Sequence, residues 1–165
     1  MSIEDQLAEL YPQLADKFIA MIPTQWSQLY YLGEVEKGKL SWSSVFYFTD
    51  ANSGKIMRSH EIPASYNVSW RVYRELLSEL DDILLTMYDC FAEYEQALWE
   101  QISLSLSRAG KLNIDFKYDA MNENAGSQVR REIVWAYETF GYAPEGNDYF
   151  MKILDEYIQA KTANQ

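Results

Sequence analysis

Residues 70–100 hold the longest periodic run in this chain. Tyr73, Leu76, Leu77, Leu80, Ile83, Leu84, Met87, Phe91, Tyr94 and Leu98 recur at steps of three and four. That spacing predicts one long amphipathic helix, with Ser69 placed to cap it. A helix with one apolar face is stable only when that face is covered by another layer. The sequence on either side supplies candidate strands for that layer.

On the N-terminal side, residues 26–35 (WSQLYYLGEV) and 40–49 (LSWSSVFYFT) are rich in aromatic and β-branched residues and are separated by a turn at 36–39. The DANSG segment at 50–54 is a hairpin signal, and 55–59 reads as a short third strand. Residues 60–69 read as a loop. On the C-terminal side, QISLSL (101–106) and LNIDFKY (112–118) each alternate in polarity around a tight RAGK turn. Alternation of this kind predicts a hairpin with one packed face and one wet face. Three further helices are expected. Residues 3–21 place Leu7, Leu10, Leu14, Phe18 and Met21 at helical spacing, with Ser2 as cap and Pro12 expected to kink or split the run. Residues from Ser127 to Phe140 end at Gly141, and 149–161 precede a polar tail. The expectation is an α+β fold in a single domain over residues 1–165. It has an antiparallel sheet of about five strands in two hairpins, packed with about four helices.

Charge narrows the function. The net charge is −11 with a pI near 4.5. A surface for a nucleic-acid backbone or an anionic membrane needs clustered bases, so neither partner is expected. An acidic chain suits a basic partner, although many proteins are acidic for solubility alone. One cysteine, Cys90, forbids an internal disulfide and fits a reducing compartment. Its place near the edge of the apolar helical face suggests a structural thiol. No apolar run approaches a membrane span and the N-terminus lacks a signal-peptide pattern, so a cytoplasmic location is expected.

Catalytic constellations are missing from the motifs. One His and one Cys cannot build the usual metal sets, and no phosphate loop, calcium loop or nucleophile elbow is present. The expectation is no catalytic residue, no metal and no cofactor. His60 is the one group suited to acid–base work near neutrality, beside Glu61. A loop histidine bonded to a backbone group or packed on Pro63 is the commoner fate. Arg130 and Arg131 could clamp an anion. The plainer reading pairs one with a carboxylate of the fold and leaves the other in solvent.

A stripe of carboxylates on the long helix is the candidate binding feature. Glu75, Glu79, Asp82, Asp89, Glu93 and Glu100 fall opposite the apolar face. A solvated face is one reading. A linear negative edge shaped for a basic cleft is the other, and the argument for it is that the stripe lacks the i,i+4 bases that usually relieve such charges.

Three aromatic-rich blocks then carry a resemblance: IPTQW (22–26), SHEIPASY (59–66) and RREIVWAYETFGYAP (130–144). With LWEQISLSLSRAGKLNIDFKYD between the second and third, their order resembles the YezG-like immunity proteins, including the EsaG antitoxins, over residues 18–157. The matching positions are Ile22, Pro23, Trp26, Ile62, Pro63, Tyr66, Arg131, Trp135, Tyr137, Gly141 and Pro144, and most read as fold-determining. The acidic stripe is not part of that resemblance. The resemblance implies a cytoplasmic antitoxin that binds a cognate secreted toxin domain, a basic nuclease domain in the simplest case. It implies no catalytic residues, and homodimerisation is compatible with it. Two readings from other classes stand beside it: a small hydrolase or ligand-binding domain built around His60, and a structural subunit that self-associates through its aromatics.

Overall fold

The computed structural model describes residues 1–164. Eleven elements follow one another: α1 (Ile3–Met21), β1 (Trp26–Val35), β2 (Trp42–Asp50), β3 (Ile56–Arg58), a 3-10 turn (Ser59–Glu61), α2 (Ile62–Tyr66), α3 (Trp70–Glu93), β4 (Gln101–Ser107), β5 (Leu112–Lys117), α4 (Gln128–Phe140) and α5 (Asp148–Ala163). The class is α+β, with a five-stranded antiparallel sheet in the order β3-β2-β1-β4-β5. The chain divides into two compact units, Met1–Asp119 and the residues from Ala120 onward.

In the first unit α1 begins with a capping box, in which Ser2 and Asp5 satisfy each other's backbone N–H groups at 3.0 and 3.1 Å. It then runs as one helix through Pro12, which is exposed. Of the kink or split expected there, the split does not occur, because Leu10, Leu14 and Phe18 on either side are held in one buried stripe. α3 begins at Ser69, whose hydroxyl accepts from the Val72 N–H. Both helices bury their apolar faces on one side of the sheet. Phe18 of α1 stacks on Tyr31 and Phe46 at ring distances of 5.0 and 5.4 Å. Gly33 makes room in this layer. A Cβ there would fall 2.6 Å from Leu84 Cδ1 and 2.7 Å from the Tyr31 hydroxyl.

The stretch expected as a loop at 60–69 contains a helical turn and α2. Pro63 favours this, since proline suits the first turn of a helix. Asn67, left-handed at φ 54°, then ends α2. Tyr66 donates a hydrogen bond of 2.7 Å to Asp50. Asp50 in turn accepts from the Asn52 and Ser53 N–H groups, so Tyr66 locks the DANSG turn. These bonds hold the Asp50 carboxyl below its ordinary range, the Tyr66 bond first.

The wet face expected of the 101–118 hairpin is present, and it does not extend across the sheet. On β5, Asn113, Asp115 and Lys117 are exposed. On β1 and β2 the face away from the helices is buried at Leu32, Val45 and Tyr47, which are 1–4% exposed. Glu34 is buried on that face too, and Gln101 Nε2 donates to it at 3.2 Å.

In the second unit Ser127 caps α4 by accepting from the Arg130 N–H, and Gly141, left-handed at φ 69°, ends it. Trp135 is buried and meets Phe140 edge-on at 5.4 Å. α5 is tied to α4 through Glu138, which accepts from Tyr157 at 2.5 Å and Lys161 at 2.7 Å.

Candidate functional site

The two long helices carry most of the charge. α1 and α3 together hold ten carboxylates (Glu4, Asp5, Glu9, Asp16, Glu75, Glu79, Asp81, Asp82, Asp89, Glu93) against three bases (Lys17, Arg71, Arg74). That is a formal −7 of the chain's −11. On α3 the expected stripe is present for five of its six members. Glu75, Glu79, Asp82 and Glu93 are exposed, and Asp89 is half-buried beside them.

Glu100 does not belong to the stripe. α3 ends at Glu93, with Tyr94 as its C-cap and Glu95 left-handed at φ 55°. The chain turns there so that Trp99 can enter the core, where it meets Tyr88, Phe91 and Phe116 at ring distances of 5.5–6.1 Å. Glu100 follows it and is 8% exposed. Burying a full tryptophan outweighs one more turn or two of helix.

Beyond Arg71 and Arg74 in its first turns, the bases that pair with the α3 stripe come from other elements. Lys17 of α1 bonds Glu79, and Lys39 from the β1–β2 turn lies 2.9 Å from Asp89. The sequence argument from unrelieved charge therefore fails for these two. It survives for Asp82 and Glu93, while Glu75 has Arg71 one helical turn before it; none of the three makes an ion pair among the described residues. Beside them, Gln13, Asp16, Lys17 and Ile83 line a shallow open depression between α1 and α3.

Asp81 was not a sequence candidate, and the structure gives it a distinct place. It lies four residues after Leu77 and three before Leu84, so it points inward toward the sheet, about 100° round the helix from Asp82. There it lies beside Ser44, whose hydroxyl lies 2.8 Å from that of Tyr31. Asp81 Oδ1 is buried without a hydrogen-bond partner. Burial pushes the Asp81 carboxyl up from its ordinary value, opposed by Ser44 and aided by the charge of Asp82. Burial likewise raises the Tyr31 phenol, so the network stays protonated at its tyrosine end. Position 81 lies just beyond the edge of the apolar stripe, so spacing alone did not mark it as buried.

The remaining candidates resolve as follows. His60 sits in the 3-10 turn with Nδ1 2.5 Å from the Tyr73 hydroxyl and its ring edge-on to Tyr73. Tyr73 meets Trp70 edge-on in turn. This is a histidine held by a phenol of α3, whereas the sequence reading weighed a backbone bond or Pro63. Cys90 is buried, donates to Gln6 Oε1 at 3.2 Å, and has its thiol raised by burial and by the charge of Glu93, so it stays protonated. Arg130 and Arg131 donate to the carbonyls of Ala125 and Gly126 at 3.0 and 2.8 Å, which pins the loop that enters α4. Arg130 also stacks over the Tyr157 ring at 5.6 Å. Among the described residues no three metal-ligating side chains converge, and no helix is long and apolar enough to cross a membrane.

The positions shared with the immunity blocks are placed as structural anchors. Ile62 and Trp26 are buried, Arg108 covers the Trp26 ring at 5.2 Å, Tyr66 holds the hairpin turn, and Gly141 caps α4. Whole-chain comparison agrees with this pattern. The chain is 30% identical over 154 residues to the immunity protein YezG of Bacillus spizizenii, covering 93% of this chain and 94% of that one. It is 28% identical over 162 residues to the type VII secretion system protein EsaG of Staphylococcus aureus, covering 96% and 98%. YezG of Bacillus subtilis is 28% identical over 142 residues. The sequence model of the YezG-like immunity proteins matches residues 7–154, and so the chain belongs to that family.

Proposed function

We propose that this protein neutralises a cognate toxin domain by binding it directly in the cytoplasm, without turnover, and that the toxin is a basic nuclease. Family membership supports the immunity role. The name of the S. aureus relative ties that protein to type VII secretion, so a toxin exported by that route is the first partner to try. The observation that carries the choice of surface is the set of open carboxylates Glu75, Asp82 and Glu93 on a helical layer of formal charge −7. A line of unpaired anions gains most from a partner that brings cations, because no internal ion pair is broken on docking. Such a surface also speeds encounter with a basic domain in a salt-dependent way.

The test is co-expression with a toxin domain encoded beside this gene, scored by growth rescue and by pull-down. Rescue with a stable complex supports the immunity role. The triple reversal Glu75→Lys, Asp82→Lys, Glu93→Lys is expected to slow association at least tenfold and flatten its salt dependence, to the order of the steering effects seen for charged interfaces. Full binding by the folded triple variant rejects the stripe and leaves the immunity role standing. Absence of binding by the wild-type protein rejects that toxin as its partner.

A further inference from the structure

The chain has five tryptophans, and four of them are engaged. Arg108 covers Trp26, Trp70 meets Tyr73 edge-on, Trp99 packs among Tyr88, Phe91 and Phe116, and Trp135 meets Phe140. Trp42 is the exception. Among the described residues its indole makes no ring contact, cation contact or hydrogen bond, and the residue is 48% exposed. Leu40, two positions before it at the hairpin tip, is 76% exposed. Trp42 pairs with Val35 on the last rung of the β1–β2 ladder, so it lies on the same face of the sheet as Val35, Ser44 and Phe46, the face that the helices cover.

The tip is fixed to α3. The Gly38 N–H donates to the Tyr88 hydroxyl at 3.0 Å, and Lys39 lies 2.9 Å from Asp89. Within the tip, the Glu36 N–H donates to the Ser41 carbonyl and the Ser41 hydroxyl to the Glu36 carboxylate. On α3, Asp81, Leu85 and Asp89 follow at intervals of one turn. Ser44 lies beside the first and Lys39 beside the third, so Trp42 comes level with Leu85. On the helix surface Leu85 has Asp82 three residues before it and Asp89 four after it. The indole therefore stands at the margin of the acidic stripe, on a tip already held in place.

We infer that Trp42, with Leu40, is the apolar anchor of the surface that receives the basic toxin domain, seated in an apolar cleft whose basic rim meets Asp82 and the rest of the stripe. This anchor presupposes the immunity function proposed above. A large ring on a preordered support, ringed by polar groups, has the make-up of an interface hot spot. Charge selects the occupant. A second copy would bring another helical layer of formal charge −7 against this one, and an anionic lipid surface is repelled in the same way. The tip's own bases are Lys37, which is exposed, and Lys39, which Asp89 offsets. Trp70, the other half-exposed tryptophan, suits a basic partner less, because Arg71 and Arg74 adjoin it on α3.

Surface plasmon resonance of the full chain against the purified, inactivated toxin domain encoded beside this gene tests the anchor. Trp42→Ala is expected to weaken binding at least about tenfold through faster dissociation, with association and its salt dependence within about twofold of wild type. The triple reversal of Glu75, Asp82 and Glu93 is expected to act on association instead. Trp42→Phe, which keeps a ring, is expected to recover most of the affinity. Thermal melting of free Trp42→Ala is expected to match wild type. Hydroxyl-radical footprinting of the wild type, with Trp42 protected in the complex, gives a second reading that needs no variant. Wild-type binding by folded Trp42→Ala, an effect confined to association, a loss of binding matched by a loss of thermal stability, or an unprotected Trp42 in the complex each overturns the anchor and leaves the immunity role standing. A wild type that binds no such domain removes the partner, and the anchor falls with it.

Discussion

Asp81 and Asp82 are neighbours of the same residue type on the same helix, and they meet opposite surroundings. Asp82 stands in the open stripe with no ion pair among the described residues, while Asp81 is turned onto the sheet beside Ser44 and Tyr31. One hundred degrees of helical rotation separates a solvated charge from a desolvated one. The same contrast divides the stripe itself. Glu79 and Asp89 are held by lysines from other elements, and Glu75, Asp82 and Glu93 are left open for a partner. What distinguishes these carboxylates is the layer each faces, since their chemistry is shared.

The inner side of α3 should be the more sensitive to change. Leu84 is fully buried against Gly33, and Leu84→Ala is expected to cost about 3 kcal/mol by chemical denaturation, through lost transfer energy and the cavity left behind. A loss below about 1 kcal/mol would mean that the α3–sheet layer is looser than described.

Asp81→Asn tests the inner carboxylate with a smaller effect and a definite sign. The folded pKa of Asp81 is raised, so the folded state holds its proton more tightly than the unfolded chain does. Stability from this group is complete below the ordinary carboxylate value near 3.8 and is lost as pH rises through the raised one. Asparagine stays neutral throughout. The variant should therefore melt a few degrees higher than wild type at pH 7 and show no gain below about pH 4. An equal shift at both pH values would assign the effect to packing.

On the outer side the effects should be slight. Glu79→Gln removes the partner of Lys17 and is expected to cost up to about 1 kcal/mol, falling with salt. Glu75→Gln, with no ion pair to lose, should leave the melting temperature unchanged. Equal effects from the two would erase the distinction between held and open carboxylates.

Much of this was legible in the residues. The two hairpins, the capped starts of α1, α3 and α4, and the glycine end of α4 follow from local spacing and turn chemistry, as do the immunity blocks. Five members of the stripe also follow, because a helix fixes which residues share a face. Where the reading missed, the cause was competition between distant parts. Glu100 looked like a continuation of the helix, but Trp99 found its site among Tyr88, Phe91 and Phe116, and the helix stopped to let it in. α2 was hidden in a segment that looked polar and irregular, yet Tyr66 fixes it to Asp50, 16 positions away.

The sequence by itself determined the amphipathic helices, the strands and the net charge of −11, because periodicity and composition are local or additive properties. The tertiary structure decided which charges remain open. Lys17 meets Glu79 across 62 positions and Lys39 meets Asp89 across 50, pairings that exist only once β1 and β2 have placed α1 and the β1–β2 turn against α3. The burial of Asp81 was decided the same way, since desolvation depends on what covers a residue and no spacing along the chain records that.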